Sequence, residues 1–193
     1  MGKYKRLVLT VILAAVFMSG CGEKGPAEST PVQSGQENPD TSSQEEEAVP
    51  VVFEAMDLEG NEVSSDVFSE TKLTMINVWG TFCGPCLREM PDLGELAGEY
   101  EPEEFRLIGI ISDVQEGDTE EKISLAESLI EETGADFTHL LLNESLYLGL
   151  LTGVSGVPTT FFVDENGIVV YVVQGAKDKE MWQKIINGLL EEL

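Results

Sequence analysis

Cys83 and Cys86 are separated by two residues, in the stretch VWGTFCGPCLREMP, between an apolar run and a helical pattern. The thiolate is the nucleophilic form of cysteine, and a helix N-terminus stabilises it through free N–H groups and a partial positive charge. Pro85 suits the first turn of such a helix, where its missing N–H costs little. The arrangement predicts a redox-active dithiol, with Cys83 as the attacking thiolate and Cys86 one turn further in and more buried.

The same cysteine pair has other chemical uses that the composition makes less favourable. A structural zinc site needs four ligands, whereas this chain has three cysteines and one histidine, His139, which we interpret as a core or sheet-edge residue within an apolar run. A purely structural disulfide across two residues closes a very small loop and stabilises little. Copper(I) favours sulfur ligands, so thiol-based copper binding stays open as a non-enzymatic alternative.

Hydrophobic periodicity predicts the elements that position these cysteines. Residues 72–79 form a mostly apolar run with β-branched side chains, which predicts a buried strand that ends shortly before Cys83. Apolar side chains then recur at steps of three and four residues, which predicts a helix face made of Leu87, Met90, Leu93, Ala97 and Tyr100.

The rest of the domain reads as short alternating elements. In chain order they are a hairpin around Glu59-Gly60-Asn61, the strand and helix of the previous paragraph, a strand at 104–112, a helix at 119–132, a short strand at 137–142, a short helix at 144–153, a hairpin at 159–175 and a last helix at 181–190. Asn166-Gly167 in the second hairpin favours a type I′ turn. This order predicts an α/β fold with a mixed central sheet and helices on both faces.

The first twenty residues have the pattern of an export signal. Three basic residues, Lys3, Lys5 and Arg6, precede an apolar run at 7–17 and small residues before Cys21. That run is too short for the ~30 Å hydrocarbon core of a bilayer, which needs about 20 residues. The ending MSGC resembles the lipobox of bacterial lipoproteins, which implies that residues 1–20 are removed and that Cys21 is lipidated and becomes the mature N-terminus.

Residues 21–50 form the connection between this cysteine and the domain. They are rich in Gly, Pro, Ser, Gln and Glu, so they cannot bury enough apolar surface to offset their ordering entropy, and we expect a disordered acidic tether. The whole chain has 36 acidic and 11 basic residues and a formal net charge of −25. Nucleic acid is therefore excluded as a partner, and so is adsorption to an anionic membrane by charge.

Residues 51–193 resemble the extracytoplasmic TlpA/ResA-like thiol–disulfide oxidoreductases of the thioredoxin superfamily. The resemblance rests on NVWGTFCGPCLREMP, on GVPTTFFVDENG and on the helical insert between them. It implies a thioredoxin-like fold with an N-terminal hairpin, and a helical insert before the strand that follows a cis Val157-Pro158 peptide. It also implies a groove for a substrate strand near the cysteines, lined by Val157, Pro158, Trp79, Phe82, Gly84 and Pro85.

The resemblance extends to a carboxylate. Glu89 matches a glutamate that the family carries near its active site, and it lies three residues after Cys86, on the same helix face. This match implies that Glu89 accepts the proton of Cys86. Asn77 stands where thioredoxins usually hold a buried aspartate, so a proton-relay role cannot fall to that position.

The function that the resemblance implies is a membrane-tethered thiol–disulfide oxidoreductase, lipid-anchored outside the bacterial cytoplasmic membrane, that needs no cofactor beyond the redox-active disulfide Cys83–Cys86. Gly84-Pro85 is the same dipeptide as in thioredoxin, so we expect this protein to act as a reductant. Its partners would be exported thiol proteins, such as apocytochrome c or methionine sulfoxide reductase, and a membrane thiol-electron transporter that reduces it again.

Three other functions remain as alternatives. A disulfide oxidase or isomerase shares the fold and differs only in redox potential. A copper-binding lipoprotein would use the same two thiols without catalysis. A peroxidase is disfavoured, because Gly80 and Ile76 stand where the peroxiredoxin pattern Pro-x-x-x-Thr-x-x-Cys requires threonine and proline.

Overall fold

The computed structural model describes residues 48–193. The predicted signal peptide (1–20), the predicted lipidation site Cys21 and nearly all of the tether (21–50) lie outside the described residues. Within the described part of the chain, no helix is both long and apolar enough to cross a bilayer.

The strands form the mixed sheet that the sequence predicts. Two short strands, β1 (Glu54–Met56) and β2 (Glu62–Ser64), pair as the antiparallel N-terminal hairpin. The five strands of the central sheet are β3 (Leu73–Trp79), β4 (Phe105–Gln115), β5 (Thr138–Leu142), β6 (Thr159–Asp164) and β7 (Val169–Gln174). Their spatial order is β5-β4-β3-β6-β7, in which β3, β4 and β5 run parallel and β6 and β7 are antiparallel to their neighbours.

The helices also follow the predicted order. They are α1 (Gly84–Ala97), α2 (Glu120–Thr133), α3 (Glu144–Leu146), which continues as a π-helical turn (Tyr147–Leu151), and α4 (Lys179–Glu192); a 3-10 helix (Ser65–Glu70) precedes β3. The side chain of Asp178 caps the N-terminus of α4 by accepting the N–H of Met181. α2 ends at Gly134, whose left-handed φ of 66° closes the helix in the usual way for glycine.

The two faces of the central sheet are each buried against different elements. One face is covered by the N-terminal segment, the 3-10 helix and α3, and contributes Ile76, Val78, Ile108, Ile110, Phe161 and Val163 to a shared core. The other face is covered by α1, α2 and α4, and contributes Leu73, Met75, Trp79, Leu107, Ile111 and Phe162. The alternation of side chains along each strand produces this division, and helices on both faces are thereby confirmed.

The turn of the β6–β7 hairpin differs from the predicted type I′. The loop has three residues, 165–167, because the N–H of Asp164 donates to the carbonyl of Ile168, and the N–H of Gly167 donates to the carbonyl of Asp164. Gly167 has φ 78°, so it follows the turn in the left-handed region. This is the arrangement of a type I turn with a bulge, and the Asp164 carboxylate stabilises it by accepting the N–H groups of Asn166 and Ile168.

Gly94 marks the place where α1 and the end of α2 approach most closely. A Cβ atom at Gly94 would lie 2.1 Å from the carbonyl oxygen of Gly134, which is backbone and cannot rotate away. By contrast, a Cβ atom at Gly188, inside α4, would meet no atom within 4 Å.

We therefore predict opposite effects for two substitutions that are chemically identical. Gly94→Ala should lower the free energy of unfolding by about 1–3 kcal/mol through overpacking, although alanine favours helix. Gly188→Ala should raise it by about 0.5–1 kcal/mol through helix propensity alone. Urea unfolding of both variants, followed by circular dichroism, measures the two effects. Stabilisation by Gly94→Ala would contradict the close α1–α2 approach.

Candidate active site

The two cysteines lie at the start of α1, just after the loop that connects β3 to α1. Cys83 is the N-cap of α1, its N–H donates to the carbonyl of Gly80 at 2.9 Å, and its Sγ accepts the N–H of Cys86 at 3.2 Å. Cys83 and Cys86 form a disulfide, and Pro85 lies in the first helical turn, as predicted. Cys83 is 5% exposed and Cys86 is fully buried. The sulfur of Cys83 therefore faces free N–H groups and the positive end of the helix, which favours its thiolate.

The loop before Cys83 is held by Asp113, a residue that the sequence analysis missed. The carboxylate of Asp113 accepts both the backbone N–H of Thr81, at 2.9 Å, and its hydroxyl. Gly80 leaves little space for a side chain, because a Cβ atom there would lie 2.8 Å from the movable ring of Phe82 and 3.2 Å from the Asp113 carboxylate. β3 and β4 are parallel and Trp79 pairs with Ile111, so Thr81, two residues after β3, comes level with Asp113 near the end of β4; this rule could have identified Asp113.

The residues predicted to contact a substrate are brought together, with one exception. Val157-Pro158 is a cis peptide, and the half-buried Val157 packs against the cluster that contains both cysteines. Phe82 is 73% exposed, and Gly84 and Pro85 are exposed beside it. Phe82, Gly84, Pro85 and Val157 form the open side of the site, whereas Pro158 is buried. Trp79 is the exception because it is fully buried, so it supports the cysteines from behind and presents no surface to a substrate.

Trp79 is anchored in turn by His139. The indole N–H of Trp79 donates to Nδ1 of His139 at 3.1 Å, and Nε2 of His139 lies 2.9 Å from the carbonyl of Ala135. The two contacts together require the neutral imidazole with its proton on Nε2. Gly109 gives the ring its space, since a Cβ atom there would lie 2.2 Å from Nδ1 of His139. His139 is thus a buried core residue, as the sequence analysis interpreted it.

Glu89 lies in the protein interior, on the helix face that carries Cys86. It is 3% exposed, and each of its carboxylate oxygens accepts one hydrogen bond. Oε1 accepts from Nδ2 of Asn77 at 3.1 Å, and Oε2 accepts from the backbone N–H of Lys177 at 3.0 Å. Asn77, on β3, also donates from Nδ2 to Oγ1 of Thr160 on β6, at 3.1 Å. Asn77, which stands where thioredoxins usually hold a buried aspartate, therefore binds Glu89 directly.

The surroundings of Glu89 favour its protonated form more strongly than water does for an exposed glutamate. Burial raises the pKa of Glu89 above its ordinary value. This rise is opposed only in part by the hydrogen bonds from Lys177 and Asn77, by the indole of Trp182 and by the charge of Lys177. Within residues 48–193, two buried polar atoms of this region, Oδ1 of Asn77 and Nε1 of Trp182, have no hydrogen-bond partner. A buried carboxylate with a raised pKa is a stronger proton acceptor than an exposed one.

His139 should make stability depend on pH. Burial lowers the pKa of His139 from 6.5 to about 4. The unfolded chain binds this proton near pH 6.5 and the folded chain only near pH 4, so the contribution of neutral His139 to stability is lost as the pH falls through that window.

We predict that the difference in free energy of unfolding between the wild-type chain and His139→Gln changes by on the order of 3 kcal/mol from pH 7 to pH 4, to the disadvantage of the wild type. Urea titrations at several pH values measure this difference, and a pH-independent difference would contradict the buried neutral imidazole.

Comparisons with known proteins agree with this geometry. Residues 46–172 match the AhpC/TSA family. The thiol:disulfide interchange protein DsbE of Escherichia coli K12 is 31% identical over 140 residues, covering 72% of this chain and 70% of that protein. The thiol-disulfide oxidoreductase ResA of Geobacillus thermodenitrificans is 29% identical over 184 residues, covering 93% of this chain and 94% of that protein.

A solved structure supports the fold independently. The crystal structure of a thioredoxin-family thiol:disulfide interchange protein from Chlorobium tepidum covers 73% of this chain and 94% of its own, with a TM-score of 0.60 and 21% identity. The chain therefore belongs to the AhpC/TSA family, has a thioredoxin-like fold, and is a thiol–disulfide oxidoreductase similar to ResA and DsbE.

Proposed function

We propose that this protein reduces disulfides in exported proteins, with Cys83 as nucleophile, Cys86 as resolving thiol and Glu89 as proton acceptor. The observation that carries the proposal is the arrangement around the α1 N-terminus. Cys83 caps that helix beside the exposed ring of Phe82, while Cys86 and Glu89 lie buried on the inner side. A nucleophile beside the exposed Phe82 and a proton acceptor further along the same helix match the two chemical steps of disulfide exchange.

In the first step the Cys83 thiolate attacks one sulfur of the substrate disulfide. A mixed disulfide forms between Cys83 and the substrate, and the second substrate sulfur leaves as a thiolate. The capping position of Cys83 favours this step, because the N–H of Cys86 and the helix end stabilise negative charge on its sulfur.

In the second step Cys86 attacks Cys83. The bond between Cys83 and the substrate breaks, the disulfide Cys83–Cys86 forms, and the substrate leaves fully reduced. Cys86 is buried and must lose its proton in order to attack. Glu89, with its raised pKa, accepts that proton on the same helix face. A membrane thiol-electron transporter then supplies the two electrons and protons that restore the dithiol.

The substrate strand docks across the open side of the site. Phe82, Gly84 and Pro85 form one border, and the cis Val157-Pro158 segment forms the other. The backbone beside Pro158 can pair with an extended substrate segment by β-addition. We place Trp79 beneath this surface as a support.

The location and partners of the protein follow from the predicted N-terminus. We propose that residues 1–20 are an export signal, that Cys21 carries the lipid anchor and that residues 21–50 tether the domain outside the cytoplasmic membrane. Two or more acyl chains give stable anchoring, where a single chain is marginal. Substrates would be exported thiol proteins of the classes represented by apocytochrome c and methionine sulfoxide reductase.

Trapping tests the assignment of the two cysteines. In a chain with Cys21→Ser, which removes the proposed lipid anchor and any unmodified third thiol, Cys86→Ala should accumulate mixed disulfides with substrate proteins that dithiothreitol releases. Cys83→Ala in the same background should accumulate none, because the nucleophile is missing. Adducts are counted on non-reducing gels. Adducts that persist through Cys86 in the Cys83→Ala chain would reverse the two roles.

The reduction potential of the Cys83/Cys86 pair tests the direction of electron flow. Equilibration of the protein against thiol buffers should give a value below about −230 mV, in the range of reductants such as thioredoxin. A value near about −120 mV belongs to strong oxidants and would make the protein a disulfide oxidase instead. Gel filtration with copper(I) is the control for the non-enzymatic alternative, which predicts that copper stays with the protein.

A further inference from the structure

Both oxygens of Glu89 are connected to the same segment, the cis Val157-Pro158 turn and the start of β6. The two connections run through different elements. One passes through the side chain of Asn77, and the other passes through the backbone of the loop between β7 and α4.

The first connection uses one amide nitrogen twice. Nδ2 of Asn77 donates at 3.1 Å to Oε1 of Glu89 and at 3.1 Å to Oγ1 of Thr160. Thr160 lies two residues after Pro158 and is 1% exposed, so water does not compete for this bond. A shift of β6 at this point changes the direction in which the amide donates to Glu89.

The second connection uses backbone groups only. The N–H of Lys177 donates to Oε2 of Glu89 at 3.0 Å, and two residues earlier the N–H of Gly175 donates to the carbonyl of Pro158 at 2.9 Å. The Lys177 ammonium fastens this loop by donating to the carbonyls of Gln174 and Gly175. Movement of Pro158 is thereby transmitted to the donor that faces Glu89.

The two donors discriminate between the protonation states of Glu89. An ionised carboxylate only accepts hydrogen bonds, whereas a protonated one has an O–H that must itself donate. Protonation therefore weakens at least one of the bonds from Asn77 and Lys177, and a buried donor without an acceptor is unfavourable. Any arrangement that holds both donors in place favours the ionised form.

We propose that Asn77 and the loop 175–177 are positioning elements that couple the protonation of Glu89 to the occupancy of the groove beside Pro158. This inference rests on the proposed function, which assigns the groove to the substrate and the proton to Glu89. A bound strand holds the Pro158 segment in place, so it lowers the proton affinity of Glu89. Linkage requires the reverse as well: once Glu89 takes the proton of Cys86, the groove holds its strand less tightly, and the reduced product is released.

The charged groups around Glu89 do not provide an alternative coupling. Among the described residues of the elements that pack against Glu89, the charged group that acts on it is the Lys177 ammonium. The neighbours on β3, β6 and α4 are uncharged; they are Asn77, Thr160 and Trp182. On α1 itself, the titratable groups on the same face are Cys86, three residues before Glu89, and the half-buried Asp92, three residues after it, whose carboxylate accepts the backbone N–H of Lys179 at 2.9 Å.

The test compares two adducts of Cys83 in the full chain with Cys21 and Cys86 replaced by serine. One adduct is a disulfide with the neutral capped peptide acetyl-Gly-Cys-Val-Gly-amide, which occupies the groove, and the other is a disulfide with mercaptoethanol, which does not reach it. The carboxyl ¹³C resonance of Glu89, assigned by its loss in Glu89→Gln, is titrated with pH. We expect the peptide adduct to bind the Glu89 proton about fivefold more weakly than the mercaptoethanol adduct.

Matched variants separate coupling from a general structural effect. Thr160→Val and Asn77→Ala remove the connection through the Asn77 amide and should reduce the difference between the two adducts, while the backbone connection through Lys177 and Gly175 is kept. Thr74→Val makes the same chemical change on β3, at a buried hydroxyl without a partner in the described chain, and should preserve the difference. Lys177→Ala keeps the backbone N–H but removes the ammonium that fastens the loop, so it should shift both titrations and reduce the difference.

The outcomes distinguish this inference from the function on which it rests. Equal titrations of the two adducts, or a difference that Thr160→Val leaves undiminished, would overturn the coupling while leaving thiol–disulfide exchange intact. A chain in which Cys83 forms neither adduct would overturn the proposed function, and the coupling with it. Thr160→Val is nearly isosteric, so it answers the question even where Asn77→Ala does not fold.

Discussion

The burial of one carboxylate is the constraint on which the site depends. A charge removed from water is unfavourable unless hydrogen bonds compensate for it, and Glu89 has only two such bonds in the described structure. Those bonds come from β3 and from the loop before α4, and the indole of Trp182 lies beside them. The elements that surround the active site are therefore also the elements that determine how readily Glu89 takes a proton. Stability and proton transfer depend on the same contacts.

The mixed sheet explains why the chemical groups converge. β3 and β4 are parallel, so Thr81, which follows β3, meets Asp113, near the end of β4, at one edge. β6 is antiparallel to β3, so its first residues, next to Pro158, start at that same edge. A nucleophile that follows one strand thus comes to lie beside the turn that precedes another, although 75 positions separate Cys83 from Pro158. A fully parallel sheet would bring the start of β6 to the opposite edge.

The helical insert contributes to the site from a distance. Its strand β5 carries His139, which accepts the indole N–H of Trp79, and Trp79 packs against the cysteines. The N-terminal segment reaches the same strand through the N–H of Leu58, which donates to the carbonyl of His139. The additions to the thioredoxin-like core are therefore connected to the cysteines through one buried aromatic pair, which also makes stability sensitive to acid.

The sequence by itself determined the order of the elements, the mixed sheet and the cysteine pair at a helix start, because hydrophobic periodicity and the Cys-x-x-Cys spacing are local properties of the chain. Its resemblance to a known family pointed to Glu89 and to the cis peptide before Pro158.

Only the tertiary structure decided that Trp79 is buried behind the cysteines, that Asp113 holds Thr81, and that Asn77 and the backbone of Lys177 bind Glu89. It also replaced the expected type I′ turn by a bulged one. Each of these contacts joins residues far apart in the chain or depends on backbone geometry, so composition and spacing could not specify which partner each buried polar group finds.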